Sequence, residues 1–141
     1  MTLQSLPPRF HLAFLVLRIS LAMVFLYHGA AILFGSFGGP GPVNFAHVMH
    51  SPVAIGYLVG LAQFGGGLAV LAGVLHRVGT VCIMIVMAGA ILLVHLPHGF
   101  SLANNGYEFA LSEFLLALGL LLTGPGRYSL NSLMPESLRK Y

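Results

Sequence analysis

Five polar side chains interrupt the long apolar stretches of this chain: Arg18, His28, Gln63, His95 and Glu113. A polar or ionisable group inside a bilayer is costly, so each is a functional hypothesis by default. His98 lies just beyond His95, and Glu108 precedes Glu113. Neutral imidazole and carboxylate bind Fe, Cu, Zn or Mn. The same groups relay protons to a quinone, which needs a donor and an acceptor near headgroup level. On this reading His28 and Glu113 are the candidate catalytic residues. His28, His95, His98 and Glu113 are the candidate metal ligands, and Arg18, Gln63 and Glu108 the candidate cofactor contacts. Two HxxH pairs occur, His47/His50 and His95/His98. In a helix each pair would share a face, but the proline in His95-Leu-Pro-His98 breaks that geometry.

Each residue also has a plain structural reading. His47, His50 and His98 can be solvated loop residues, and His28 can hydrogen-bond a neighbouring helix. Glu113 shares a small-residue face with Ala110 and Ala117, which points it into the bundle. A carboxylate buried there is protonated or paired, so a structural hydrogen bond explains it as well as a catalytic role. Arg18 stands about two turns from the inner end of its span and can snorkel. Cys82 is the single cysteine, which excludes an internal disulfide or a CxxC site and leaves a packing role. The scattered methionines form no MxxM ladder and read as core filler.

The elements that must hold these residues are membrane helices. The chain has 141 residues, of which 57% are hydrophobic and 6% charged, against about 25% charged in a soluble domain. Its mean hydropathy is +0.93. That balance excludes a soluble enzyme domain and a disordered chain. The pI near 9.4 does not indicate nucleic acid, because no basic cluster is large enough to hold a phosphate backbone. A spanning helix needs roughly 20 apolar residues. Four stretches read as spans: Phe10 to Phe34, Pro52 to Leu75, Val78 to Leu96 and Glu108 to Thr123. Glycine- and proline-rich breaks separate them. The first stretch is too long for a signal peptide and carries Arg18, so it reads as a retained helix.

Arg9, Arg77, Arg127, Arg139 and Lys140 all fall on one side of a four-span arrangement. The other loops contain no Lys or Arg, so both termini are expected in the cytoplasm. The expected fold is an all-α, up-and-down four-helix bundle forming a single domain over residues 1–141, in the inner (plasma) membrane. Gly56, Gly60, Gln63 and Gly67 form a helical stripe that marks a packing face. Pro42 to His50 reads as a short surface helix, with Asn44, His47 and His50 on one face and Phe45, Val48 and Met49 on the other. His28, His95, Glu108 and Glu113 then converge on the outer half of the bundle.

The chain resembles the DoxX family of small four-helix membrane proteins. The resemblance rests on Leu17-Arg-Ile, Tyr27-His-Gly29, Gly65-Gly-Gly-Leu-Ala-Val-Leu-Ala-Gly73, His76-Arg77, Gly106-Tyr-Glu108 and Gly124-Pro-Gly-Arg-Tyr-Ser-Leu-Asn131. It runs from about Arg18 to Asn131, and the closing motif is its most specific part. The family is named for a link to a thiosulfate:quinone oxidoreductase subunit. The resemblance therefore implies the fold and, more loosely, a redox association. Three positions often charged in the family are neutral here, near Ile32 and at Gln63 and Asn131. That favours a partner or scaffold role, whereas the additional histidines favour a metal or haem site.

Two functions follow as expectations. One is a redox-associated subunit acting on a quinone or a transition metal (Fe, Cu) or haem in the outer half of the bundle. The other is a non-catalytic anchor or assembly subunit of a larger membrane complex. In both, the partners are the lipid bilayer and either a second copy or other subunits. A transporter is the weaker third reading, because the sequence shows no inverted repeat and no broken mid-span helix.

Overall fold

The structure, a computed structural model, describes residues 6–138. Arg139 and Lys140 of the basic tail lie outside the described residues. Helix α1 spans Pro8–Phe34, with proline in its first turn, where the missing N–H has no helical partner anyway. It ends at Gly35, whose left-handed backbone (φ 68°) lets its N–H reach the Ala30 carbonyl. A short helix α2, Gly41–Val48, follows. Helix α3 spans Val53–Ala72 and ends at Gly73, again left-handed. Helix α4, His76–Ala90, continues through a π turn at Ile91–His95 into a 3-10 turn at Leu96–His98. Pro97 accounts for that change of pitch: it lacks an N–H, and its ring displaces the carbonyl four residues back. Helix α5 spans Glu108–Thr123.

The architecture is all-helical among the described residues, as expected. Three helices, α1, α3 and α4 with its extension to His98, are long and apolar enough to cross a membrane. Helix α5 has 16 residues, about 24 Å at 1.5 Å per residue, and is shorter than the roughly 20 residues a span needs. The expected second and third spans were drawn to Leu75 and from Val78. The left-handed backbone at Gly73 and Leu75 ends α3 earlier, and α4 starts earlier, at His76.

Chain neighbours pack on one another, and α1 meets α5 to close the ring. All four long helices contribute to one core: Leu21 and Phe25, Val70, Ile83 and Met87, and Ala110, Ala117 and Leu120. The α1–α3 seam is antiparallel and glycine-lined. A Cβ added at Gly60 would lie 3.2 Å from Leu33, and one at Gly67 3.2 Å from Leu26. Gly29 of α1 leaves no space for a Cβ against the Phe64 backbone. The stripe of Gly56, Gly60, Gln63 and Gly67 is buried throughout, so it is a packing face. A second contact joins α3 to α4, where a Cβ at Gly79 would stand 2.9 Å from the Gly66 carbonyl.

Helix α2 covers the end of the α1–α3 seam, with the Pro42 carbonyl against Gly56. Its polar face is as expected, with Asn44, His47 and His50 exposed. Its apolar face turns on Ala46, which is fully buried. Of the opposite face, Phe45 and Met49 are half-buried and Val48 is exposed.

Candidate functional site

Polar side chains gather at two ends of the bundle. The first end carries Arg9, Arg77 and Arg127, and its centre is Arg18, which is 0% exposed. Its guanidinium donates from Nε to the Val70 carbonyl at 2.7 Å and from Nη2 to the Leu71 carbonyl. Nη1 donates to the carbonyls of Pro125 at 3.0 Å and Tyr128 at 2.6 Å. Val70 and Leu71 belong to the last turn of α3, where the helix dipole is negative; the Val70 carbonyl also accepts the Gly73 N–H at 3.2 Å. Pro125 and Tyr128 belong to the segment after α5. One side chain thus fastens three parts of the chain through backbone acceptors alone.

The surrounding residues fit that clamp. A Cβ at Gly73 would stand 2.7 Å from Arg18 Nη2, and its φ of 70° already favours glycine. Gly126 approaches Phe14, and the Arg127 N–H donates to His11 Nδ1 at 3.3 Å. The Gly124-Pro-Gly-Arg-Tyr-Ser sequence is therefore a strap across the first turns of α1. Nearby, His76 Nε2 donates to the Leu120 carbonyl at 3.1 Å and joins α4 to α5. Thr80 Oγ1 donates to the His76 carbonyl at 3.0 Å.

The second end holds His95, His98 and Glu108. His95 Nδ1 donates to the Asn105 carbonyl at 2.8 Å, and His98 Nδ1 to the Val94 carbonyl at 3.0 Å. Glu108 Oε2 accepts the Leu102 N–H at 2.8 Å. Backbone bonds from Tyr107 to Gly99 and from Glu108 to Phe100 close the same loop. A Cβ at Gly106 would lie 2.6 Å from the Phe100 carbonyl, so Gly106-Tyr-Glu108 is a loop-closing motif. His28 is exposed on the outer surface of α1, edge-on to Tyr27, which stacks on Phe37 at 4.8 Å. Glu113 is half-buried, and its Oε2 is buried without a hydrogen-bond partner.

The structure thus brings His95, His98 and Glu108 into one connection and places the other candidates elsewhere. Arg18 is at the opposite end, Gln63 is inside the α1–α3 seam, and His28 faces outward. Among the described residues, no three His, Cys, Asp or Glu side chains come close enough to hold a metal ion. Sequence reasoning missed His11 and His76 as structural residues; both are buried. A signal for His76 was present. His76, Thr80, Ile83 and Met87 recur at i, i+4, i+7 and i+11, and all four are buried on one face.

Antiparallel apolar helices sewn by glycine seams and a buried arginine define a small helical membrane protein. The DoxX family model matches residues 13–96, more than half of the chain, and the chain belongs to the DoxX family. The match takes in most of α1, all of α2 and α3 and almost all of the extended α4, and it stops before α5 and the closing strap. No curated protein and no solved structure matches the chain.

Proposed function

We propose that this DoxX-family membrane protein is a non-catalytic subunit of a redox-linked complex in the inner membrane. It contributes helices and a docking face, and the reacting groups belong to its partners. The observation that carries this reading is the position of His28. It stands six residues before the end of α1 at Phe34, about 9 Å inside at 1.5 Å per residue, and it faces out of the bundle. Ser20 and Tyr27 are exposed on the same helix. Polar groups facing hydrocarbon are costly, and a neighbouring protein surface that hydrogen-bonds them removes the cost. At the basic end, by contrast, the Arg18 guanidinium is bonded within the chain to four backbone carbonyls.

In this reading α5 also crosses the membrane and both termini are cytoplasmic. Two observations support it. His76 at the start of α4 bonds Leu120 near the end of α5, so α5 runs antiparallel to α4 along its length. Arg77 and Arg127 stand at the same end as Arg9, and the connections at the other end have no Lys or Arg, the pattern of a cytoplasmic face.

A second reading places a quinone or metal reaction on this chain at His28 and Glu113. It rests on the unpartnered Glu113 Oε2, a buried group that could carry a proton. Metal analysis and an optical spectrum of the protein purified in mild detergent separate the two readings. The subunit reading expects a metal-free, colourless protein and His28→Gln and Glu113→Gln variants that leave the activity of the complex within twofold. Stoichiometric Fe, Cu or haem lost in both variants would establish the second reading.

A further inference from the structure

We infer that the groove beside Arg18 is a binding site for an acidic phospholipid, with the phosphate at Arg127 and an acyl chain along α3. The groove has a volume of about 610 Å³ and lies between the end of α3 and the strap that follows α5. That is the level at which both helices end, where lipid headgroups lie. It is lined by Arg127 and Ser129 from the strap, by Leu68 and Leu71 from α3, and by Leu130. A lining that combines a cationic side chain with leucines suits one amphiphile better than a soluble anion.

Three observations support an anionic headgroup. First, the four partners of Arg18 are neutral carbonyls, so a buried positive charge beneath the groove has no carboxylate beside it. An unneutralised charge in a low-dielectric setting attracts an anion over a longer distance than it would in water. Second, Arg127 is exposed and its guanidinium makes no hydrogen bond or ion pair among the described residues. Third, of the chain's three acids, Glu108 and Glu113 are on α5 towards the other end, and Glu136 follows the strap without an ion pair to Arg127 among the described residues. Basic pockets between membrane helices are established headgroup sites.

The acyl path follows from helical spacing. Leu61, Gly65, Leu68 and Ala72 recur at i, i+4, i+7 and i+11 on α3, and Leu68 and Ala72 line the groove. Leu61 and Leu68 are exposed. Gly65 between them has nothing within 4 Å of an added Cβ. It leaves an open position on the helix face that continues from the groove towards the middle of α3.

The full-length protein in nanodiscs of phosphatidylcholine containing a small fraction of phosphatidylglycerol tests this, with bound lipid read by native mass spectrometry. Wild type should retain phosphatidylglycerol at least fivefold over phosphatidylcholine. Arg127→Gln should lower that retention about fivefold, the worth of one basic residue at a membrane surface. Gly65→Leu should lower it without changing the headgroup preference. The Arg127 guanidinium bonds nothing among the described residues, a side chain at Gly65 enters open space, and an unchanged melting temperature confirms folding in each case. Millimolar inorganic phosphate should not displace the lipid. Equal retention of both lipids by wild type, no effect of Arg127→Gln, or full displacement by inorganic phosphate would overturn the assignment.

Discussion

Arg18 ties α1 to the end of α3 and to the strap after α5, and it does so through backbone carbonyls. Replacing it with leucine leaves the carbonyls of Val70, Leu71, Pro125 and Tyr128 without this donor. Hydrogen bonds to a charged group contribute about 1.5–3 kcal/mol each, and removing a desolvated charge offsets part of that. A net loss of about 2–4 kcal/mol is expected for Arg18→Leu, read as a lower melting temperature in detergent. Arg18→Lys should recover less than half, because an ammonium cannot reproduce the planar fork that spans two helices and a strap. Full stability in Arg18→Lys would show that charge alone suffices. His76→Leu removes one bond to Leu120 and should cost about 1 kcal/mol in the same measurement.

At the scale of elements, the glycines sort by what surrounds them. Gly60→Leu and Gly67→Leu drive side chains into Leu33 and Leu26 across the α1–α3 seam, and overpacking of this kind costs about 1–3 kcal/mol. Gly65→Leu and Gly119→Leu enter open space and should stay within about 0.5 kcal/mol. Parallel melting curves of the four variants check this, and equal losses in all four would contradict the seam. Much of this level was legible in the sequence. The breaks at Gly35 and Gly124 end helices as glycine should, and the Gly56–Gly67 stripe marks a buried face, whereas the left-handed Gly73 ends α3 before the expected Leu75. What was not legible was the outward position of His28. Helix α1 is apolar on every side, so no polar stripe distinguishes its inner face from its outer one. Arg18 was obscure for another reason: its partners are carbonyls, which carry no residue-type signal.

The whole molecule is a bundle with a stitched basic end and an outward polar face on α1. The proposed topology predicts that reporters fused at the two termini read the same compartment, the cytoplasm. A reporter in the α4–α5 loop, near Asn104, should read the other. Opposite readings at the termini would leave α5 on the surface and require three crossings. The central claim, that α1 docks a partner subunit through its His28 face, is tested most directly by cross-linking in intact membranes. A photoreactive side chain at Met23, beside Ser20 and Tyr27 on the exposed side of α1, would be compared with one at Leu93 on the exposed side of α4. The subunit account predicts a discrete protein adduct from Met23 at least fivefold stronger than from Leu93, and its loss when His28 and Tyr27 are both changed to leucine. Lipid adducts alone at Met23, with no protein adduct at any position on α1, would contradict it.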